Sequence, residues 1–216
     1  HPERRNLEEL NRIKANLSAY WWAALYQQRP TPSEGSIFKR EWFSQRYTVL
    51  PTLDDTIISC DLSFKKTDVS NYVVLQVWGR KGPDVYLLDQ VRDRMDYPAS
   101  KQAIRDLRAK YPKTSAVIIE DKANGPATIS ELKKEIVGVV PWNPGKSSKE
   151  ERAQVLSVPR YAAGQVYLPQ NCPWIGEFIE EHIGFGAGAA NDDQVDAESQ
   201  AFGWWQVIKK RGSWGD

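Results

Sequence analysis

In this chain of 216 residues, 29 basic side chains stand against 28 acidic ones, a formal charge of +1. No global basic field marks it for nucleic acid, so an anionic partner would have to meet a local patch. Its two cysteines form no CxxC pair and its only histidines are His1 and His182, which argues against a zinc site of sulfur and imidazole, and no apolar run approaches the ~20 residues that span a bilayer.

The chain opens on His1-Pro2 without an initiator methionine, as expected of a piece of a longer protein. Two thiols without a secretory leader fit a reducing, intracellular setting. Residues 1–28 are predicted helical, with Leu7, Leu10, Ile13, Leu17 and Tyr20 on one face. "QQRPTPSEGS" then breaks the helix, and "IFKREWFSQRY" follows as an aromatic connector. Residues 1–50 therefore read as a helical arm and linker ahead of a second unit at 51–216.

From Thr56 the pattern changes to strands: "TIISCDLSF", "NYVVLQVWG" and "DVYLLDQVRD", joined by polar turns. A helix over Ser100–Tyr111 stops at Pro112, and "SAVIIED" reads as a strand buried on both faces. A helix at about 127–137, the strand "GVVPW", a helix at roughly 148–162, the strand "QVYLP" and a helix over Pro173–His182 come next. The loop "GFGAGAAN" leads into a last helix ending near Lys210. Three meandering strands followed by alternating helices and strands predict an α/β fold, with a mixed sheet whose parallel strands are joined by right-handed crossovers.

"NDDQVDAESQ", at the start of that last helix, holds Asp192, Asp193 and Asp196. One aspartate suits a helix N-terminus, where it accepts orphan N–H groups and meets the positive end of the dipole; three exceed what a cap needs. Asp61 sits inside the first strand, and Glu120 ends the apolar run "AVIIE". A carboxylate buried there without a partner is costly, whereas a strand end facing solvent would cost little. The C-terminal ends of strands are also where ligand chemistry gathers in open α/β sheets. If the first and fourth strands are neighbours, Asp61 and Glu120 lie side by side and the last helix brings Asp193 close. Oxygen ligands alone suit Mg²⁺ or Mn²⁺, and two such ions about 4 Å apart activate a water and stabilise the leaving oxygen of a phosphodiester.

An aspartate in the first strand, an acid ending the fourth and an aspartate pair opening the last helix resemble the ribonuclease H-like nucleases. "EDKANGPATISELKKE", "NDDQVDAESQAF" and the upstream "YWWAALYQQRPTPSEGSIFKREWF" narrow the likeness to the large terminase subunit of tailed bacteriophages. The resemblance covers nearly the whole chain: the end of the ATPase domain (1–50) and the nuclease domain (51–216). It implies a ribonuclease H-like mixed β-sheet flanked by helices, and a metal-dependent endonuclease that cuts concatemeric double-stranded viral DNA during genome packaging. The setting it implies is the host bacterial cytoplasm, with a portal protein, a small terminase subunit and its own ATPase domain as partners and an isolated domain that is monomeric.

By position, Asp61, Glu120 and Asp193 become the catalytic metal ligands for two ions. Asp196, three residues on from Asp193, is either a further ligand or a group that orients it. Asp192 and, in the turn after the first strand, Asp68 are additional candidates. Asp121 points away from Glu120 and reads as structural. The motor's GxxxxGK[ST] loop is not found: "NPGKSS" has Val140 where the first glycine should be, so it reads as a helix cap with Ser147 or Ser148 as N-cap.

Phosphates of a duplex need basic partners. Lys65, Lys66, Lys122, Lys146, Lys149 and Arg152 are the candidates, with Lys122 and Lys149 nearest the expected cleft. The tail "KKRGSW" is a further basic segment, "GRKGPD" reads as a hairpin tip, and Trp142 is the one tryptophan expected near DNA. Two other readings are a Holliday-junction resolvase or integrase-like strand-transferase, and a portal or capsid docking module without catalysis. Against the last, strand-embedded Asp61 and Glu120 cannot cap a helix.

Overall fold

The computed structural model describes residues 36–62, 72–121, 125–187 and 191–212. The helix predicted over 1–28, Lys65, Lys66, Asp68 and Lys122 lie outside these residues.

Seven strands form one mixed sheet: β1 (Arg46–Tyr47), β2 (Asp55–Leu62), β3 (Val73–Lys81), β4 (Asp84–Asp93), β5 (Ala116–Glu120), β6 (Val139–Trp142) and β7 (Val166–Pro169). Their order is β1-β7-β4-β3-β2-β5-β6. The β2–β3 and β3–β4 pairs are antiparallel, as the meander predicted, while β2–β5, β5–β6, β4–β7 and β1–β7 are parallel. The helices are α1 (Tyr97–Lys110), α2 (Gly125–Leu132), α3 (Lys149–Arg152), α4 (Val158–Ala162), α5 (Ile175–Gly184) and α6 (Asp193–Gly212).

Strand alternation sorts the core into two layers. Ile58, Cys60, Val117 and Ile119 meet Ile104 and Leu107 of α1 and Ile129 and Leu132 of α2. Ile57, Trp78, Ala116 and Ile118 face the other way, onto Phe202 and Trp205 of α6. The result is a helix–sheet–helix sandwich around a central strand pair buried on both faces.

Several boundaries move for local reasons. α1 starts before Ser100 because Asp96 caps it, accepting from the Ala99 N–H at 2.9 Å, and Pro98 lies in the first turn, where its missing N–H costs nothing. The helix expected over 148–162 is divided by a π segment at Ala153–Ser157, where the Val158 N–H reaches the Ala153 carbonyl. Pro159 follows at once and has no N–H to continue the ladder. The aromatic connector forms a 3₁₀ turn, Arg40–Ser44, and then β1 along β7. Phe38 and Phe43 are buried against Tyr161 and His182. The connector from Ser36 shares the core of the residues after it.

Candidate metal centre

Asp61 is the penultimate residue of β2 and is 7% exposed. The parallel register sets Cys60 against Ile119, so Asp61 and Glu120 follow one residue further along neighbouring strands. Alternation turns Cys60 toward α1 and α2, and Ser59 and Asp61 toward α6. Two hydrogen-bonding side chains fix α6 above that face. Ser59 Oγ donates to the Ala197 carbonyl at 2.6 Å, and Gln200 Nε2 donates to the carbonyls of Ile118 (2.9 Å) and Cys60 (3.3 Å). The first turn of α6, with Asp193 and Asp196, therefore hangs over the ends of β2 and β5.

The electrostatics record how close these acids lie. Burial raises the Asp61 carboxyl well above the usual range, and the charges of Asp196, Asp193 and Glu120 add to it while Lys149 opposes. Asp193 is pushed up to about 6, first by burial and then by Glu181 and Asp192. Asp196 is raised by burial against the pull of Lys149 and Arg152.

Those two cations come from α3, whose start is set by a capping box: Ser148 Oγ accepts from the Glu151 N–H at 3.1 Å, and Glu151 accepts from the Ser148 N–H at 2.9 Å. Ser148 thus fills the predicted cap. Lys149 and Arg152, three apart on one helix face, reach across together. Lys149 Nζ lies 2.7 Å from Asp192 and 2.5 Å from Asp196, and Arg152 lies 2.9 Å from the other Asp196 oxygen. Burial disfavours the Lys149 charge, but the two aspartates outweigh it and the ammonium is held more firmly than usual.

Both Asp196 oxygens are thus engaged by side-chain cations. Among the described residues no three His, Cys, Asp or Glu side chains are gathered tightly enough to hold an ion as they stand. Asp61, Glu120 and Asp193 nonetheless suit a hard divalent cation in donor type, and Asp61 carries an electrostatic load that such a charge would relieve. Lys146 is exposed in the turn before α3, Asp121 is exposed, and Trp142 is half-buried with its ring over Gly203.

Sequence reasoning missed the scaffold beneath. Glu181 caps α6 from α5, accepting from the Gln194 N–H and from Gln194 Nε2, both at 2.7 Å. Gln194 Oε1 accepts from Gln90 (2.8 Å), Gln90 from Gln76 (3.0 Å), and Gln76 from Trp78 Nε1 (2.9 Å). Arg92, lying 3.7 Å over the Tyr72 ring, pairs with Glu181 at 3.2 Å. This chain of buried amides joins β3, β4, α5 and α6, yet each glutamine looks like an ordinary surface residue in sequence. A second buried group lies below: Tyr161 donates to Glu198 at 2.6 Å, and His182 Nε2 stands 3.1 Å from the same oxygen.

No curated protein matches this chain in sequence. Among solved structures, the large terminase of a thermophilic bacteriophage, in one of its crystal forms, superposes with a TM-score of 0.57 at 14% identity, over 94% of this chain and 52% of that one. The chain therefore spans about half the length of that relative. The large terminase nuclease of thermophilic phage G20c, solved with bound magnesium, gives 0.57 at 15% identity, over 79% and 97%. Its cobalt-bound form gives 0.58 at 18%, over 80% and 98%. At such identities the likeness speaks for the fold, a ribonuclease H-like mixed sheet flanked by helices. The sequence profile described as the terminase RNaseH-like domain matches residues 58–203, and by that match the chain belongs to the terminase family, as part of its large-subunit nuclease domain.

Proposed function

We propose that this chain is a metal-dependent endonuclease that cuts concatemeric double-stranded viral DNA during genome packaging. The observation that carries the reading is Asp61: a buried carboxylate at the end of a central strand, raised first by burial and then by three further acids, beside the start of α6. Asp61, Glu120 and Asp193 would hold two divalent ions, Mg²⁺ or Mn²⁺, which supply an activated water and a stabilised leaving oxygen at the phosphodiester. Asp61, fixed by β2, would be the central ligand. Glu120 and Asp193 flank it from β5 and α6, and Asp192 and Asp196 hold the helix start through Lys149 and Arg152. When a phosphate and its cations arrive, Lys149 and Arg152 are placed to turn from the aspartates to the DNA, with Lys146 beside them; Lys122 and Asp68 complete the proposal in sequence. The magnesium- and cobalt-bound G20c nuclease structures support a divalent requirement.

The wider assignments follow the family: residues 1–50 belonging to the end of an ATPase domain, partnership with a portal protein and a small terminase subunit, a monomeric isolated domain and work in the host bacterial cytoplasm. The test is plasmid nicking and linearisation with Mn²⁺, Mg²⁺ or EDTA, comparing wild type with Asp61→Asn and Asp193→Asn. Metal-dependent cutting lost in both variants is expected. Equal cutting by wild type and folded variants would refute the site.

A further inference from the structure

At the far end of α6 from the metal centre, a cavity of about 620 Å³ opens between the β3–β4 hairpin, α4 and the helix. Arg80, Pro83, Val155, Arg160, Gln165 and Gln206 are among its walls. Trp205 is part of its lining, and the buried ring of Phe202 lies alongside, at 16° with centroids 6.4 Å apart. A guanidinium lies over each, Arg160 at 5.2 Å from Phe202 and Arg80 at 5.6 Å from Trp205.

Among the described residues neither guanidinium is ion-paired. Arg160 donates to the Pro83 carbonyl at 3.1 Å, which leaves most of its five donors unspent. Two acids stand beside Arg80: Asp54 is held by Lys81 (2.9 Å) and the Gly82 N–H (2.7 Å), and Asp55, its cross-strand partner, accepts from Trp205 Nε1 (2.7 Å) and Ser115 Oγ (2.6 Å). The acid nearest Arg160 in charge is Glu198, whose Oε2 serves Tyr161 and His182. Burial and the like charge of Arg80 both work against the Arg160 cation. Two stacked forks whose neighbouring carboxylates are engaged elsewhere suit a bidentate oxyanion such as a phosphate.

The cavity is not isolated. A second one, of about 420 Å³ and lined by Trp142, Asn143, Arg152 and Gly203, shares Val155, Leu156 and Gln206 with it. The pair forms a trough that starts at Arg152, which holds Asp196, and ends at Arg160 and Arg80. At its middle the Trp142 ring packs directly on Gly203, where an added Cβ would stand 2.5 Å from it. Asp193 and Trp205 are twelve helical residues apart, or ~18 Å at 1.5 Å each, a length that takes several successive phosphates of one strand.

We propose that this trough carries the phosphodiester backbone of one DNA strand away from the metal centre, with Arg80 and Arg160 as the phosphate clamp at its end. The proposal rests on the nuclease reading for its ligand, and its test is independent of cutting. Binding of a labelled duplex of about 20 base pairs is followed by fluorescence anisotropy in EDTA across a salt series, for wild type, R80Q/R160Q and R80K/R160K, each checked for folding by circular dichroism. The glutamine pair is expected to bind roughly 10- to 100-fold more weakly near 0.1 M salt and to flatten the log K against log salt slope by about 1.8, at 0.9 per lost contact. The lysine pair, which keeps both charges, is expected to restore most of that slope.

An unchanged slope and affinity in the folded glutamine pair would overturn the clamp, as would a lysine pair as flat as the glutamine one. No measurable duplex binding by wild type would overturn it too. Inorganic pyrophosphate titrated by calorimetry separates the other source of this chemistry: arginine-dependent pyrophosphate binding without arginine-dependent duplex binding makes this a free-phosphate site and sinks the strand path. Arginine-dependent duplex binding by a protein that cuts nothing upholds the clamp and fails the nuclease reading instead.

Discussion

Replacing Asp61 by Asn separates a metal ligand from a structural carboxylate, because the two roles predict opposite signs. Asn keeps the shape and removes a charge that Asp196, Asp193 and Glu120 all repel. At an effective dielectric near 20, two like charges about 5 Å apart repel by roughly 3 kcal/mol. Lys149 offsets part of this, so the net relief without metal is about 1–2 kcal/mol. For a chain of this size, that raises Tm by about 2–8 °C. With Mn²⁺ at about 100 times its Kd the order reverses: wild type gains about 2.7 kcal/mol from the ion, roughly 5–11 °C, while the variant gains little. Thermal melts at pH 8 in EDTA and in Mn²⁺ give both numbers from one preparation. Melting of Asp61→Asn several degrees below wild type in EDTA, or an undiminished shift with Mn²⁺, would refute the reasoning.

Asp193 gives a pH dependence of defined sign. Its carboxyl titrates near 6 in the fold against 3.8 unfolded, so the unfolded chain releases the proton first. The Asp193 contribution to apo stability is thus fully present below about pH 4 and is lost as pH rises through about 6, by about 1–2 kcal/mol after allowing for solvent screening. Urea unfolding in EDTA should show Asp193→Asn lacking this decline. Glu181→Ala removes the cap of α6 and the partner of Arg92, and should cost about 2–4 kcal/mol by the same denaturation assay. Gly203→Ala forces the Trp142 ring off α6; a loss of about 1–3 kcal/mol and a shifted tryptophan emission are expected.

The sheet was legible because its signals are local. The "TIISCDLSF" run announces a strand and "SAVIIED" one buried on both faces, while the neighbouring placement of β2 and β5, conditional in sequence, is given by the fold. Asp61 and Glu120 stood out as charges inside such runs. The connector was harder: β1 is two residues long, and Phe38 and Phe43 find their partners more than a hundred residues away in Tyr161 and His182. The glutamine ladder left no trace, since Gln76, Gln90 and Gln194 come from three elements and only the fold aligns their amides. Lys149 and Arg152 were expected to face phosphates; that they close on Asp192 and Asp196 depends on an α3–α6 approach that no short-range pattern encodes.

The cap that Glu181 places on α6 also bears on how such a chain can change over evolutionary time. The start of α6 is anchored through space, by hydrogen bonds from α5 to Gln194, and from below by Ser59 and Gln200. The covalent path from α5 to α6 contributes little to where Asp193 stands. Insertions between Ala187 and Asn191, beyond the buried Phe185, should therefore be tolerated without moving the carboxylate. A change at Glu181 or Gln194, by contrast, would shift the helix even in a chain whose acidic residues were all intact.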